Sequence, residues 1–139
     1  MKSLTKLSQH AHWLLRAAIA GVFIYHGLDK FPKLDGMAAM MNMPVAMLFM
    51  VASAETVGGA LVLLGGFSKD WITRLGALML VPVMLGAIFM VHWGQWSFVA
   101  SETHAMGGME FQVTLLLASL YLFVKGNNVS SSDPVPVSN

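Results

Sequence analysis

Five ionisable residues sit inside otherwise apolar stretches of this 139-residue chain: Arg16, His26, Glu55, His92 and Glu110. A charge in hydrocarbon is expensive enough that each is a candidate for function. His26 and His92 fall at the same ends of their stretches, and Glu110 opens the last one from that side, so the three are expected to share one level. Imidazole titrates near neutral pH, so His26, His92 and Glu110 are the candidate catalytic groups for exchanging protons with a quinone. His26, Glu55, His92 and Trp93 are the candidate wall of a cofactor site. Adding His104 from the adjoining loop, which also carries Glu102, gives His26, His92, His104 and Glu110 as a candidate ligand set for a transition metal, and two facing histidines also suit a haem. No HExxH or comparable tight ligand motif is present. The plainer alternative is that these histidines bond water at a membrane surface.

Arg16 lies ten residues from His26, about 15 Å along a helix, and Glu55 lies eleven from Pro44, about 16 Å. Matching depths predict a buried Arg16 to Glu55 ion pair that fixes the register of two helices. Met37, Met40, Met41, Met43 and Met47 cluster in one loop region, with Met106 and Met109 near a second. Thioethers suit Cu(I), but they also fill apolar gaps.

The elements that must carry these groups follow from hydropathy. The chain is 56% hydrophobic and 11% charged, against about 25% charged in an ordinary soluble domain, and its mean hydropathy is +0.66. An all-α polytopic membrane protein is expected, with four transmembrane helices in an antiparallel bundle at about residues 13–28, 44–66, 71–92 and 108–124. Residues 1–125 form one transmembrane domain on this reading. Residues 126–139, rich in Ser and Pro, form a disordered tail. The segment 29–43 reads as a loop with a short interfacial helix, and 93–107 as a second loop. Pro82 predicts a kink in the third helix. No small-residue cleavage site follows the first apolar stretch, which therefore reads as a retained span. Gly58, Gly59, Gly65, Gly66, Gly76, Gly86 and Ala87 are expected to let the helices approach closely.

Lys2, Lys6, Arg16, Lys69, Arg74 and Lys125 fall on the side of the termini and only Lys30 and Lys33 on the other, so both termini are expected in the cytoplasm of a plasma (inner) membrane protein. A net charge of +1 gives no basis for a nucleic-acid partner. The absence of cysteine excludes dithiol exchange by the chain itself.

Arg16, the stretch FIYHGLDKF at 23–31 and the stretch ETVGGALVLLGGF at 55–67 resemble the DoxX family of small four-helix membrane proteins. The resemblance covers about residues 13–125. Arg16, His26, Gly27, Lys30, Glu55 and Gly59 match the family pattern, with His92 and Glu110 as further matches. It implies a four-helix membrane fold and an association with redox chemistry, since the family's named member is a small subunit of a thiosulfate:quinone oxidoreductase. The resulting expectation is a membrane-embedded subunit or accessory protein of a quinone-linked redox system. Its partners are the lipid bilayer and a membrane or periplasmic redox protein, and a homo-oligomer is permitted. A quinone, a haem or a transition metal are the candidate cofactors. A metal-binding or assembly protein is the alternative.

Overall fold

Each apolar stretch folds as a helix in a computed structural model that describes residues 10–128. The helices are α1 (His12–Lys30), α2 (Leu34–Met40), α3 (Val45–Gly65), α4 (Asp70–Ala87) and α5 (Glu110–Lys125). A 3-10 turn, Phe31–Lys33, joins α1 to α2, and a π-helical turn, Ile88–His92, continues α4 without a break. Among the described residues there is no strand. The polar lead-in before His10 and the tail beyond Asn128 lie outside the described residues.

Two segments, Val45–Gly65 and Asp70–His92, are long and apolar enough to cross a membrane. Large apolar side chains such as Leu14, Phe49, Met50, Leu78, Phe89 and Leu117 point outward. In water these faces would be unfavourable; against lipid they are at home. The four long helices run alternately up and down. α3 packs on α1, α4 on α3 and α5 on α4, while α1 and α5 touch at few places. Ile19, Phe23, Val62, Ala77, Leu80, Met84, Leu115 and Leu122 form the shared core.

Glycine sets the spacing where helices cross. A Cβ on Gly76 would lie 2.7 Å from both Gly58 O and Val62 N, so α3 and α4 meet backbone to backbone. Gly27 stands equally close to Ala52 O and Thr56 N, which draws α1 against α3. Gly86 departs from the expectation of close packing, because nothing lies within 4 Å of a Cβ placed there. Pro82 stays inside α4.

These contacts fix the register of α1 on α3, and the predicted Arg16 to Glu55 ion pair does not form. Gly59 faces Phe23 and Ile24, and Gly66 lies under the Trp13 ring, so the level of Arg16 is that of Val62. The depth count failed because it took His26 and Pro44 as equivalent ends. Helix α1 runs on to Lys30, and Pro44 stands well beyond the level of His26.

Arg16 is fully buried and every one of its five N–H groups has an acceptor. Nε donates to His12 Nδ1 (3.1 Å), one terminal nitrogen to Val62 O (2.7 Å) and Thr73 Oγ1 (2.8 Å), and the other to Gly126 O (3.2 Å) and Asn127 Oδ1 (2.9 Å). The guanidinium thus joins α1, α3, α4 and the turn after α5. Asn127 extends this node by donating to Gly65 O (2.9 Å) through its side chain and to Asp70 Oδ1 (2.6 Å) through its backbone. Arg74 in turn pairs with Asp70 and donates to Phe123 O (2.8 Å). The disordered tail was expected from residue 126, but Gly126 and Asn127 are structural.

Candidate functional site

At the other end of the molecule, where the two longer connections lie, the helices part around a cavity of about 310 Å³. Its walls come from all four long helices, and seven methionines line it: Met37, Met41, Met43, Met47, Met84, Met90 and Met106. The first three come from α2 and the turn that follows it, and Met47 comes from the first turn of α3. The α2 segment is held by Ala38, which is buried, and by the bond from Met43 N to Ala38 O (3.0 Å). Polar groups enter this apolar lining at two places.

The first is on α1 and α3. Lys30 Nζ lies 2.6 Å from Glu55 Oε2, with both side chains largely withdrawn from solvent. Lys30 also donates to His26 O (3.2 Å). The last turn of α1 brings Lys30 there, and Glu55 sits mid-helix in α3 on the face packed against α1. A buried carboxylate needs a cation this close to remain charged. His26 lines the cavity from an exposed position and meets the Tyr25 ring edge-on at 5.4 Å. Just outside, Lys33 Nζ bonds Asp29 Oδ1 at 2.6 Å.

The second is on the π-helical turn and α5. His92 is 8% exposed. Its Nδ1 lies 2.9 Å from Gly107 O and its Nε2 3.0 Å from Gln112 Nε2. The π turn widens the end of the helix, as such turns do at functional sites. The connecting loop brings Gly107 back: Gly108 N donates to Ser97 O (2.8 Å), Met109 N to Gln95 O (3.0 Å) and Glu110 N to Trp96 O (3.0 Å). Gly107 has φ +76° and no room for a Cβ against Phe98.

Of the predicted site residues, His26, Glu55 and His92 therefore meet at one cavity. Glu110 does not. It lines a neighbouring groove with Trp96 and Phe98, because the buried face of α5 carries Leu115, Ser119 and Leu122 and the residue in step with them is Gln112. Trp93 is 59% exposed, stacks beside Phe89 at 5.1 Å and is absent from the cavity wall. His104 is committed to Trp93 O (2.8 Å) and Thr103 Oγ1 (3.0 Å) within the loop. The predicted metal set of His26, His92, His104 and Glu110 is not assembled: among the described residues no three His, Asp or Glu side chains gather as a metal site. A haem fits no better, since both ring nitrogens of His92 are engaged. Gln112 and Lys30 are the polar cavity residues missing from the predicted site. Lys30 could have been found four residues beyond His26 on the same helical face, and Gln112 as the polar member of the 112, 115, 119, 122 stripe.

A family model described as DoxX matches residues 11–93, well over half of the chain. The chain belongs to the DoxX family. The matched region holds Arg16, His26, Lys30, Glu55 and His92 and stops short of Gln112, so one cavity wall lies outside it. A relative from Bacillus subtilis (strain 168), named "Putative oxidoreductase CatD", is 30% identical over 124 residues, covering 87% of this chain and 83% of its own length. No solved structure matches this chain.

Proposed function

We propose that this DoxX protein is a four-span subunit or accessory protein of a membrane redox system, and that its cavity binds the ring of a quinone. The observation that carries this is a largely apolar, methionine-lined space with two separate hydrogen-bonding poles, Lys30–Glu55 and His92–Gln112. A quinone is an apolar ring with two polar oxygens, and its two-electron reduction takes up two protons. Both poles contain groups able to exchange a proton. The oxidoreductase name of the Bacillus subtilis relative supports a redox setting. With no cysteine in the chain, electrons come from a partner protein rather than from thiols here.

Four spans follow from treating burial together with hydropathy. Helix α1 is 19 residues long, about 28 Å, and the charge in its second turn, Arg16, is hidden from lipid by the other helices. Helix α5, with 16 residues or about 24 Å, is short but carries no charge between its ends. Arg16, Lys69, Arg74 and Lys125 lie toward one end of the bundle and Lys30 and Lys33 toward the other. The positive-inside rule puts the Arg16 end in the cytoplasm of the inner membrane and the cavity in the outward half.

Gly86 supplies the test. It lines the cavity and has free space around a Cβ, so Gly86→Leu should narrow the cavity while leaving the fold intact. The wild-type protein in lipid nanodiscs is expected to quench its tryptophan emission on titration with a short-chain quinone, and Gly86→Leu to weaken that binding by roughly tenfold or more, about 1.4 kcal/mol. A wild-type protein that binds no quinone overturns this function and leaves an assembly role.

A further inference from the structure

We propose that Gln112 reads the oxidation state of the bound ring: it offers an acceptor to a ring hydroxyl while His92 is neutral, and a donor to a ring carbonyl once His92 takes a second proton. This rests on the quinone reading above and names the form of the ring that the site prefers. A carbonyl oxygen only accepts, so the His92 nitrogen 2.9 Å from Gly107 O, Nδ1, must carry a hydrogen. The carbonyl cannot easily turn away, because the N–H that shares its peptide plane, that of Gly108, donates to Ser97 O at 2.8 Å.

A neutral imidazole has one N–H, so Nε2 then holds a lone pair. The Gln112 amide nitrogen, 3.0 Å away, donates to it. That leaves Gln112 Oε1 as the outward end of the amide, and it is buried without a partner. Among the described residues only Ser119 Oγ shares this condition. A serine hydroxyl can turn to the carbonyl four residues back on its own helix; an amide clamped by a histidine has no such exit. A buried acceptor without a donor is unfavourable, and a small adjustment of Gln112 toward the cavity lets the hydroxyl of a reduced ring supply the missing hydrogen.

Protonating His92 reverses the polarity. Nε2–H now needs an acceptor, the amide turns over so that Oε1 receives it, and the –NH2 end is presented to the ring. That end suits the carbonyl of the oxidised form. Other titratable groups lining the cavity are His26 and Lys30 on α1 and Glu55 on α3; Glu110 on α5 shares the adjoining groove with Gln112, and His104 and Glu102 lie in the loop. A site-resolved readout is therefore needed to assign the switch to His92.

The full chain in nanodiscs is titrated with a short-chain naphthoquinone and, under argon, with its reduced quinol, at about pH 8 and about pH 5.5. The wild type is expected to prefer the quinol by roughly tenfold at the higher pH and to lose or invert that preference at the lower, while Gln112→Leu binds both forms alike at both pH values. A wild-type preference that ignores pH, or one that survives in Gln112→Leu, overturns the proposal. Failure of the wild type to bind either form removes the quinone reading as well. Nitrogen-15 spectra of the ligand-free wild type test the relay independently of any ligand or variant. His92 is expected as the Nδ1–H tautomer at high pH, with its ring and the Gln112 amide changing together on acidification. An Nε2–H tautomer, or a Gln112 amide that does not respond, sinks the relay even if quinone binds.

Discussion

Arg16 is a buried cation held by neutral acceptors. Its nearest compensation is Asp70, which is engaged with Arg74 and Asn127 N. Its role depends on the guanidinium fork more than on charge: five donors reach five acceptors spread over four elements. Lysine has three donors and no plane, so Arg16→Lys is expected to recover little of what Arg16→Ala loses. Removing the fork takes the guanidinium donors from Val62 O and Gly126 O, each worth about 1–3 kcal/mol when buried, while Asn127 Oδ1 keeps Thr73 Oγ1, and thermal unfolding in detergent should show both variants melting well below the wild type. Equal stability of Arg16→Lys and wild type would contradict this. Lys30 and Glu55 behave differently, because there the pair is ionic. Lys30→Ala strands a buried carboxylate and should cost about 3–5 kcal/mol, whereas the double change Lys30→Met with Glu55→Gln should cost much less. If the single and double variants melt together, the two residues are not coupled. The ionisable positions were legible in the sequence as costly groups in apolar stretches. Their pairing was not, because it depends on a register that glycine contacts set and that counting from presumed helix ends misjudges by about two turns.

Among the elements, the apolar stretches coincide with the long helices to within two residues once the π turn ending at His92 is counted with α4, and the loop 29–43 contains the short helix it was expected to hold. Helices were legible because hydropathy and length suffice to find them. The inward face of α5 was harder. Glu110 drew attention as a charge, yet a helix advances about 100° per residue, so Gln112 and not Glu110 falls in line with Leu115 and Leu122. The loop 93–109 was legible only as a loop, since its form rests on Gln95, which bonds Ser97 O, Val99 O and Ser101 Oγ. Gly107 is the joint through which this loop acts on the site. Gly107→Ala combines a strained positive φ with a clash at Phe98, and a cost of about 1–3 kcal/mol is expected from the strain alone. The informative readout is His92: its ring nitrogen resonances should move in Gly107→Ala while the Arg16 end, followed by hydrogen exchange at Gly126 and Asn127, stays protected. Unchanged His92 resonances would mean that the loop does not hold the ring.

At the scale of the whole molecule the two ends have opposite constructions. One is a closed polar knot that draws on every long helix. The other is a space that the same helices surround without filling. Changes at the knot should lower the melting temperature without altering ligand preference in the protein that remains folded, and Gly86→Leu should do the reverse, since replacing a helical glycine beside open space carries no intrinsic penalty. A shared response at both ends would mean that they are not separable.

Because α1 and α5 scarcely meet, the proposed function makes the seam between the first and last helices the expected side door onto the bilayer. A ring-shaped solute dissolved in lipid would then reach the cavity by sideways diffusion, and the concentration that governs occupancy would be its mole fraction in the membrane rather than its molarity in water. Doubling the lipid in the assay at constant total ligand should therefore weaken the apparent affinity about twofold, as one-site mass action requires when the solute is shared over twice the lipid, whereas doubling the buffer volume should leave it almost untouched.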